Sequence, residues 1–196
     1  MAKTVEFYFD IGSSYSYIAY KALPAIAAAH GAQILWRPML LGGVFKATGN
    51  HSPAEIPAKS KWLDQDLQRW AARYGAAFQR NPHFPINTMT LMRGAVGMQM
   101  RGLDFPKYIE TMFHAMWAEP RNLGDPQELA AVLRGAGFDT DAFQSLVSDP
   151  AVKQQLKQNT EEAVARGVFG APTFFVGDEM FWGQDRLDFV AEALAK

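Results

Sequence analysis

The feature that most constrains this chain is Pro172, which follows Gly167-Val168-Phe169-Gly170-Ala171 and stands directly ahead of Thr173-Phe174-Phe175-Val176. Proline supplies no amide hydrogen to a strand ladder, so it marks a strand entry or a special turn, and the Ala171-Pro172 bond is a candidate for the cis form. Gly177-Asp178 then separates the run from Glu179-Met180-Phe181-Trp182, which predicts a hairpin. Near the start of the sequence, Val5, Phe7 and Phe9 alternate with Glu6, Tyr8 and Asp10, the period of a strand. Gly12-Ser13-Ser14 turns that strand into a helical stretch reaching about Ala29. A strand-to-helix turn and a proline-marked strand entry are the two segments expected to meet at a functional site.

Pro24 is expected to kink or split the first helix. Gln33 to Arg37 reads as a second strand ending at Pro38. The pattern then becomes helical for a long way. Leu63, Leu67, Trp70 and Tyr74 recur at helical spacing, as do Ile109, Met112, Phe113 and Met116. Further helices are predicted from about Thr88 to Met100, Pro126 to Gly135, Thr140 to Val147 and Ala151 to Arg166, punctuated by Gly, Pro and Asp. Leu187, Val190, Ala191 and Leu194 mark a last amphipathic helix. The order β-α-β, helices, β-β-α is that of an α/β, thioredoxin-like sheet whose halves, residues 1–39 and 157–196, flank an all-helical insert at 40–156. A discontinuous half cannot stand alone, so the cleft between sheet and insert is the natural ligand site.

Composition narrows the chemistry. With 196 residues, 48% of them hydrophobic, the chain can bury a sizeable core. A net charge of −1 gives no basic field for nucleic acid or anionic lipid. No apolar run approaches the roughly 20 residues of a membrane span, and Met1-Ala2-Lys3-Thr4 leads into strand residues without an apolar leader, so the expected location is the cytoplasm. His30, His51, His83 and His114 fall at no metal-ligand spacing, and no metal site is expected. The methionines of the insert and Trp36, Trp117 and Trp182 are expected mainly to fill core.

The chain contains no cysteine. Ser13 and Ser16 stand where thiol–disulfide oxidoreductases of thioredoxin-like architecture carry C-x-x-C at a helix N-terminus, where the dipole stabilises a thiolate. Redox chemistry by the protein's own thiols is therefore excluded, and any sulfur must arrive with a small molecule, for which glutathione is the obvious candidate. Ser13 read by itself is a common N-cap.

Several segments in order carry a resemblance. They are Phe9-Asp10, Ser13-x-x-Ser16-Tyr17, Gly49-Asn50, Lys59 with Asp66-Leu67 and Arg69, Asn87-Thr88, Val168 to Thr173, and Trp182-Gly183-Gln184-Asp185-Arg186. Over essentially its whole length the chain resembles the glutathione-dependent 2-hydroxychromene-2-carboxylate isomerases, relatives of kappa-class glutathione transferases and, more distantly, of DsbA. One departure is Ser14, where the family usually has proline. The resemblance implies Ser13 as the catalytic activator of glutathione thiol, and Ala171 and Pro172 as the backbone edge that pairs with its cysteinyl unit. It implies Gln184 and Asp185 at its γ-glutamyl end, and Asn50, Lys59 and Asn87 as contacts to a small aromatic carboxylate substrate. For Lys59 and Asn50 the carboxylate held is that of the substrate or of glutathione's glycyl end; read alone, Lys59 is a solvated helix lysine and Asn87 a helix cap. A homodimer is also implied. A kappa-like transferase or peroxidase, or a non-catalytic binding module, are the alternative functions.

Overall fold

The computed structural model describes residues 3–196. Strand β1 (Thr4–Phe9) leads into helix α1 (Ser14–Ala29), followed by β2 (Gln33–Pro38). Helices α2 (Leu41–Thr48), α3 (Pro57–Arg73), α4 (Met89–Met100), α5 (Phe105–Phe113), α6 (Pro126–Gly135), α7 (Thr140–Ser148) and α8 (Pro150–Ala165) come next, before β3 (Thr173–Val176), β4 (Glu179–Trp182) and α9 (Leu187–Ala195). The sheet order is β2-β1-β3-β4, with β1 parallel to β2 and antiparallel to β3, and β3 antiparallel to β4. This is the expected thioredoxin-like sheet with a helical insert.

Side-chain alternation along β1 sets up two apolar layers. Val5, Phe7 and Phe9 enter a large core shared with α1, α4, α5, α7 and α9, so sheet and insert are held by one continuous apolar mass. Tyr8 points the other way, into a smaller cluster with Met39, Val44, Ala163, Val168 and Phe175. Each fully buried large apolar side chain of this kind contributes about 1.5–3 kcal/mol. Asp125, Asp139 and Asp149 cap α6, α7 and α8 by accepting from first-turn amides, which is why Asp punctuation was readable in the sequence.

Three expectations need revision or extension. Helix α1 runs unbroken through Pro24, which lies on the exposed face, so the carbonyl that loses its partner there can be hydrated. The expected boundary between residues 156 and 157 falls inside α8, one continuous helix that touches α2, α4, α7 and β2 and so belongs to both halves. After α5 the chain does not continue as α-helix but widens into a π-helical turn at His114–Ala118, closed by a Glu119 N–H to His114 carbonyl bond of 2.9 Å. Among the described residues no helix is long and apolar enough to cross a membrane.

Candidate active site

The turn after β1 is built around a buried carboxylate. Asp10, 1% exposed, accepts from the amides of Gly12 and Leu41 at 2.8 Å each and from the Thr88 hydroxyl at 3.0 Å. One side chain thus ties β1 to the starts of α2 and α4 and fixes the turn that presents Ser13. Gly12 is required there because an added Cβ would meet Thr88 Cγ2 at 2.6 Å.

Ser13 is the N-cap of α1, and its Oγ accepts from the Ser16 amide at 3.1 Å. The same Oγ donates to the Ala171 carbonyl at 3.2 Å, so the capping role and the meeting with the proline-marked segment coexist. The Ala171-Pro172 bond is cis, as is Phe84-Pro85, which the sequence did not suggest. Trp182 lies against Gly170, where any Cβ would sit 2.6 Å from the indole nitrogen. The indole also packs on Phe169 with ring centres 5.0 Å apart.

Above Ser13 opens a cavity of about 370 Å³ between the sheet end and the insert. Ser13, Ala171, Pro172, Gln184, Asp185 and Asn50 all line it. Asn50 donates to the Phe169 carbonyl at 2.8 Å, which fastens the start of the insert to the strand entry. Gln184 is buried, and Asp185 pairs with Arg186 at 2.8 Å. Lys59 and Asn87 are exposed and outside this lining. Asn87 Oδ1 accepts from the Met89 amide at 3.0 Å, a turn contact one residue ahead of Thr88, the N-cap of α4.

Other residues complete the lining. Among the described residues, Arg80 is the one lysine or arginine that lines the cavity; it bonds Asp64, and the Ser60 hydroxyl at 3.1 Å. The Tyr15 hydroxyl donates to Asp66 at 2.8 Å. Burial first, and then the Asp66 carboxylate, push the Tyr15 phenol well above its usual range, so it stays a neutral hydrogen-bond donor. Trp62, Leu63, Phe78, Phe84 and Trp117 make an apolar wall. Trp117 does fill core, being 3% exposed, yet it also faces the cavity while its indole N–H donates to the Ile11 carbonyl at 2.8 Å. Trp182, by contrast, is 49% exposed at the mouth; Met92, Met98, Met112 and Met116 are core residues as expected, whereas Met89 is half-buried and Met100, in the last turn of α4, is exposed.

Ser16 provides an internal contrast to Ser13. Its Oγ is buried without a hydrogen-bond partner among the described residues. Ser16→Ala is therefore expected to leave the unfolding free energy unchanged or raise it by up to about 1 kcal/mol. Chemical denaturation checks this, and a loss above about 1 kcal/mol would reveal a partner for the hydroxyl.

Residues 4–195 match the family of DSBA-like thioredoxin domains. The chain is 35% identical, over 99% of its own length and 99% of the relative's, to 2-hydroxychromene-2-carboxylate isomerase from Sphingobium xenophagum. A solved structure of 2-hydroxychromene-2-carboxylate isomerase superposes with a TM-score of 0.86 at 33% identity, covering 97% of this chain and 94% of that one. Human glutathione S-transferase kappa 1 is 26% identical over 100% of this chain and 92% of its own. With a serine at the head of α1 and full-length likeness in both sequence and structure, the chain belongs to the 2-hydroxychromene-2-carboxylate isomerase family within the DSBA-like thioredoxin domains.

Proposed function

We propose that this chain is a glutathione-dependent isomerase that interconverts 2-hydroxychromene-2-carboxylate and trans-o-hydroxybenzylidenepyruvate, acting in aromatic-compound catabolism as a cytoplasmic homodimer. The observation that carries the reading is the Ser13 hydroxyl at the N-terminus of α1, 3.2 Å from the Ala171 carbonyl and facing a cavity with an aromatic wall. The names of the relatives support the isomerase class.

The residues present suit glutathione. Ala171 offers a strand edge beside Ser13, and Asp185 offers a carboxylate for an ammonium group. Glutathione supplies, when bound, a thiol whose ionised form adds reversibly to a conjugated C=C bond, permits rotation about it and leaves unchanged. Ser13 accepts from the Ser16 amide, which leaves its single proton free to donate. The Ala171 carbonyl holds that proton now; an amide on that carbonyl would release it toward a sulfur. The Ser14 and Tyr15 amides, in the first turn of α1, have no intrahelical acceptors and add positive potential at the same point. A free cysteine thiol ionises near about 8.5, so lowering it by one to two units raises the thiolate fraction on the order of tenfold. Calorimetric titration with glutathione, followed by a spectrophotometric isomerisation assay with and without it, tests the proposal. Absence of binding, or an unchanged rate without glutathione, would refute it.

Likeness to kappa-class transferases favours a second reading, in which glutathione is consumed. Measuring free glutathione through many turnovers separates the two.

The γ-glutamyl ammonium of glutathione is several bonds from its thiol, so a clamp on it by Asp185 acts on substrate-bound and transition states alike. Asp185→Asn is expected to weaken glutathione binding about tenfold while kcat at saturation stays within about twofold. An unchanged affinity removes Asp185 from the site. For the substrate carboxylate, Lys59 is the residue the resemblance implies and Arg80 the cation in the cavity wall. Arg80→Met is expected to raise the substrate KM about ten- to a hundredfold and Lys59→Met less than twofold. The reverse ranking would mean that Lys59 reaches over the rim.

A further inference from the structure

A second concavity lies on the other side of the insert, walled by α2, α4 and α8, with a volume of about 870 Å³. None of the residues that line the candidate active-site cavity lines it. Its floor is apolar: Leu156 is buried, and Leu40, Met89 and Val164 are half-buried around it. The rim is cationic. Lys46 comes from α2, Arg93 from α4, and Lys153 and Lys157 from α8, against a single carboxylate, Glu161. Glu161 pairs with Lys157 at 3.7 Å. Lys46, Arg93 and Lys153 make no ion pair among the described residues. Lys153 and Lys157 also stand four apart on one helix, a like-charge spacing that disfavours the helix slightly.

An apolar floor under a rim with three unpaired cations is complementary to an organic anion with a hydrocarbon body. The volume falls in the range of about 300–1,000 Å³ typical of small-molecule sites. The helices are already locked beneath it, since the Leu40 amide donates to Thr160 Oγ at 3.0 Å. We propose that this α2–α4–α8 groove is a second binding site, specific for small carboxylates carrying an aromatic or aliphatic apolar body, with Lys46, Arg93 and Lys153 holding the charge and Leu156 under the hydrocarbon.

The probe is 2-naphthoate, titrated calorimetrically against the full chain in low salt, with 2-naphthamide as its uncharged counterpart. A 2-naphthoate site that weakens as salt screens the exposed rim is expected, counted apart from any binding of the probe in the candidate active-site cavity. Charge reversal in the K46E/K153E variant touches opposite walls at exposed, unpaired positions, so the fold should be kept. It is expected to weaken that site by at least about tenfold and leave any binding in the candidate active-site cavity within about twofold. Binding of 2-naphthoate that K46E/K153E leaves unchanged, or equal affinity for 2-naphthamide at the site that K46E/K153E weakens, would each overturn the proposal. So would sedimentation showing that wild-type chains associate and the variant does not, because the groove would then be a contact between copies.

Discussion

Ser13→Ala is expected to lower the isomerisation rate at saturating glutathione on the order of ten- to a hundredfold. The Oγ is the group that can donate to a thiolate at the head of α1, and a hydrogen bond to a charged acceptor is worth about 1.5–3 kcal/mol. Two structural contacts go with it, the N-cap to the Ser16 amide and the link to the Ala171 carbonyl. Loss of an N-cap serine to alanine costs about 1 kcal/mol in stability, whereas glycine at the same place costs only a few tenths. Ser13→Gly is thus the informative companion: it should match Ser13→Ala in lost activity while unfolding close to wild type. If activity instead tracks stability across the two variants, the hydroxyl serves only the fold. Activity within about twofold of wild type in both would remove Ser13 from the chemistry. Thiol ionisation followed by ultraviolet absorbance of bound glutathione offers a direct readout, since its apparent pKa should rise when the donor is gone.

What the sequence disclosed about this site follows from which residues have few structural options. Pro172 was readable because proline lacks an amide hydrogen, and Ser13 because a serine between a period-two strand and a period-3.6 helix has few other places to be. Arg80 was not readable. It lies beyond α3 in a stretch without regular structure, where no periodicity assigns it a face, and it reaches the cavity through partners sixteen and twenty positions away, Asp64 and Ser60. Trp117 was read as core, correctly but incompletely. The π-helical turn that carries it is set by packing of the insert, so the wall it offers could not be inferred from spacing. Lys59 is a complementary case: adjacent Ser60 lines the cavity while Lys59 itself does not, because neighbouring positions on a helix point about 100° apart. The 156/157 position lies inside α8 for a related reason, since Val152 and Leu156 enter the large core and Ala163 the smaller cluster beside Tyr8.

Asp10 is where the largest stability effect is expected. Strand alternation set it on the same face as Glu6, which remains partly exposed and pairs with Arg37 and Arg166, so nothing in the pattern marked Asp10 as buried. Asp10→Ala would leave the Gly12 and Leu41 amides and the Thr88 hydroxyl without an acceptor inside the protein. Each stranded buried donor costs about 1–3 kcal/mol, so a loss of about 3 kcal/mol or more in unfolding free energy is expected, along with a loosened Ser13 turn. Asp10→Asn keeps the volume but turns one amide donor toward donors, and should lie between alanine and wild type. The pH dependence separates charge from shape. Burial holds the Asp10 carboxyl above the ordinary range, against the pull of its three donors, while aspartates in the unfolded chain titrate near about 3.9. The folded state binds that proton more tightly, so the group's contribution is fully present below the unfolded value and is lost as pH rises through the folded one. Asparagine does not titrate. The stability advantage of wild type over Asp10→Asn should therefore shrink as pH rises from about 4 toward neutrality. An advantage that grows over the same interval would mean that the three donors outweigh desolvation and keep Asp10 ionised throughout.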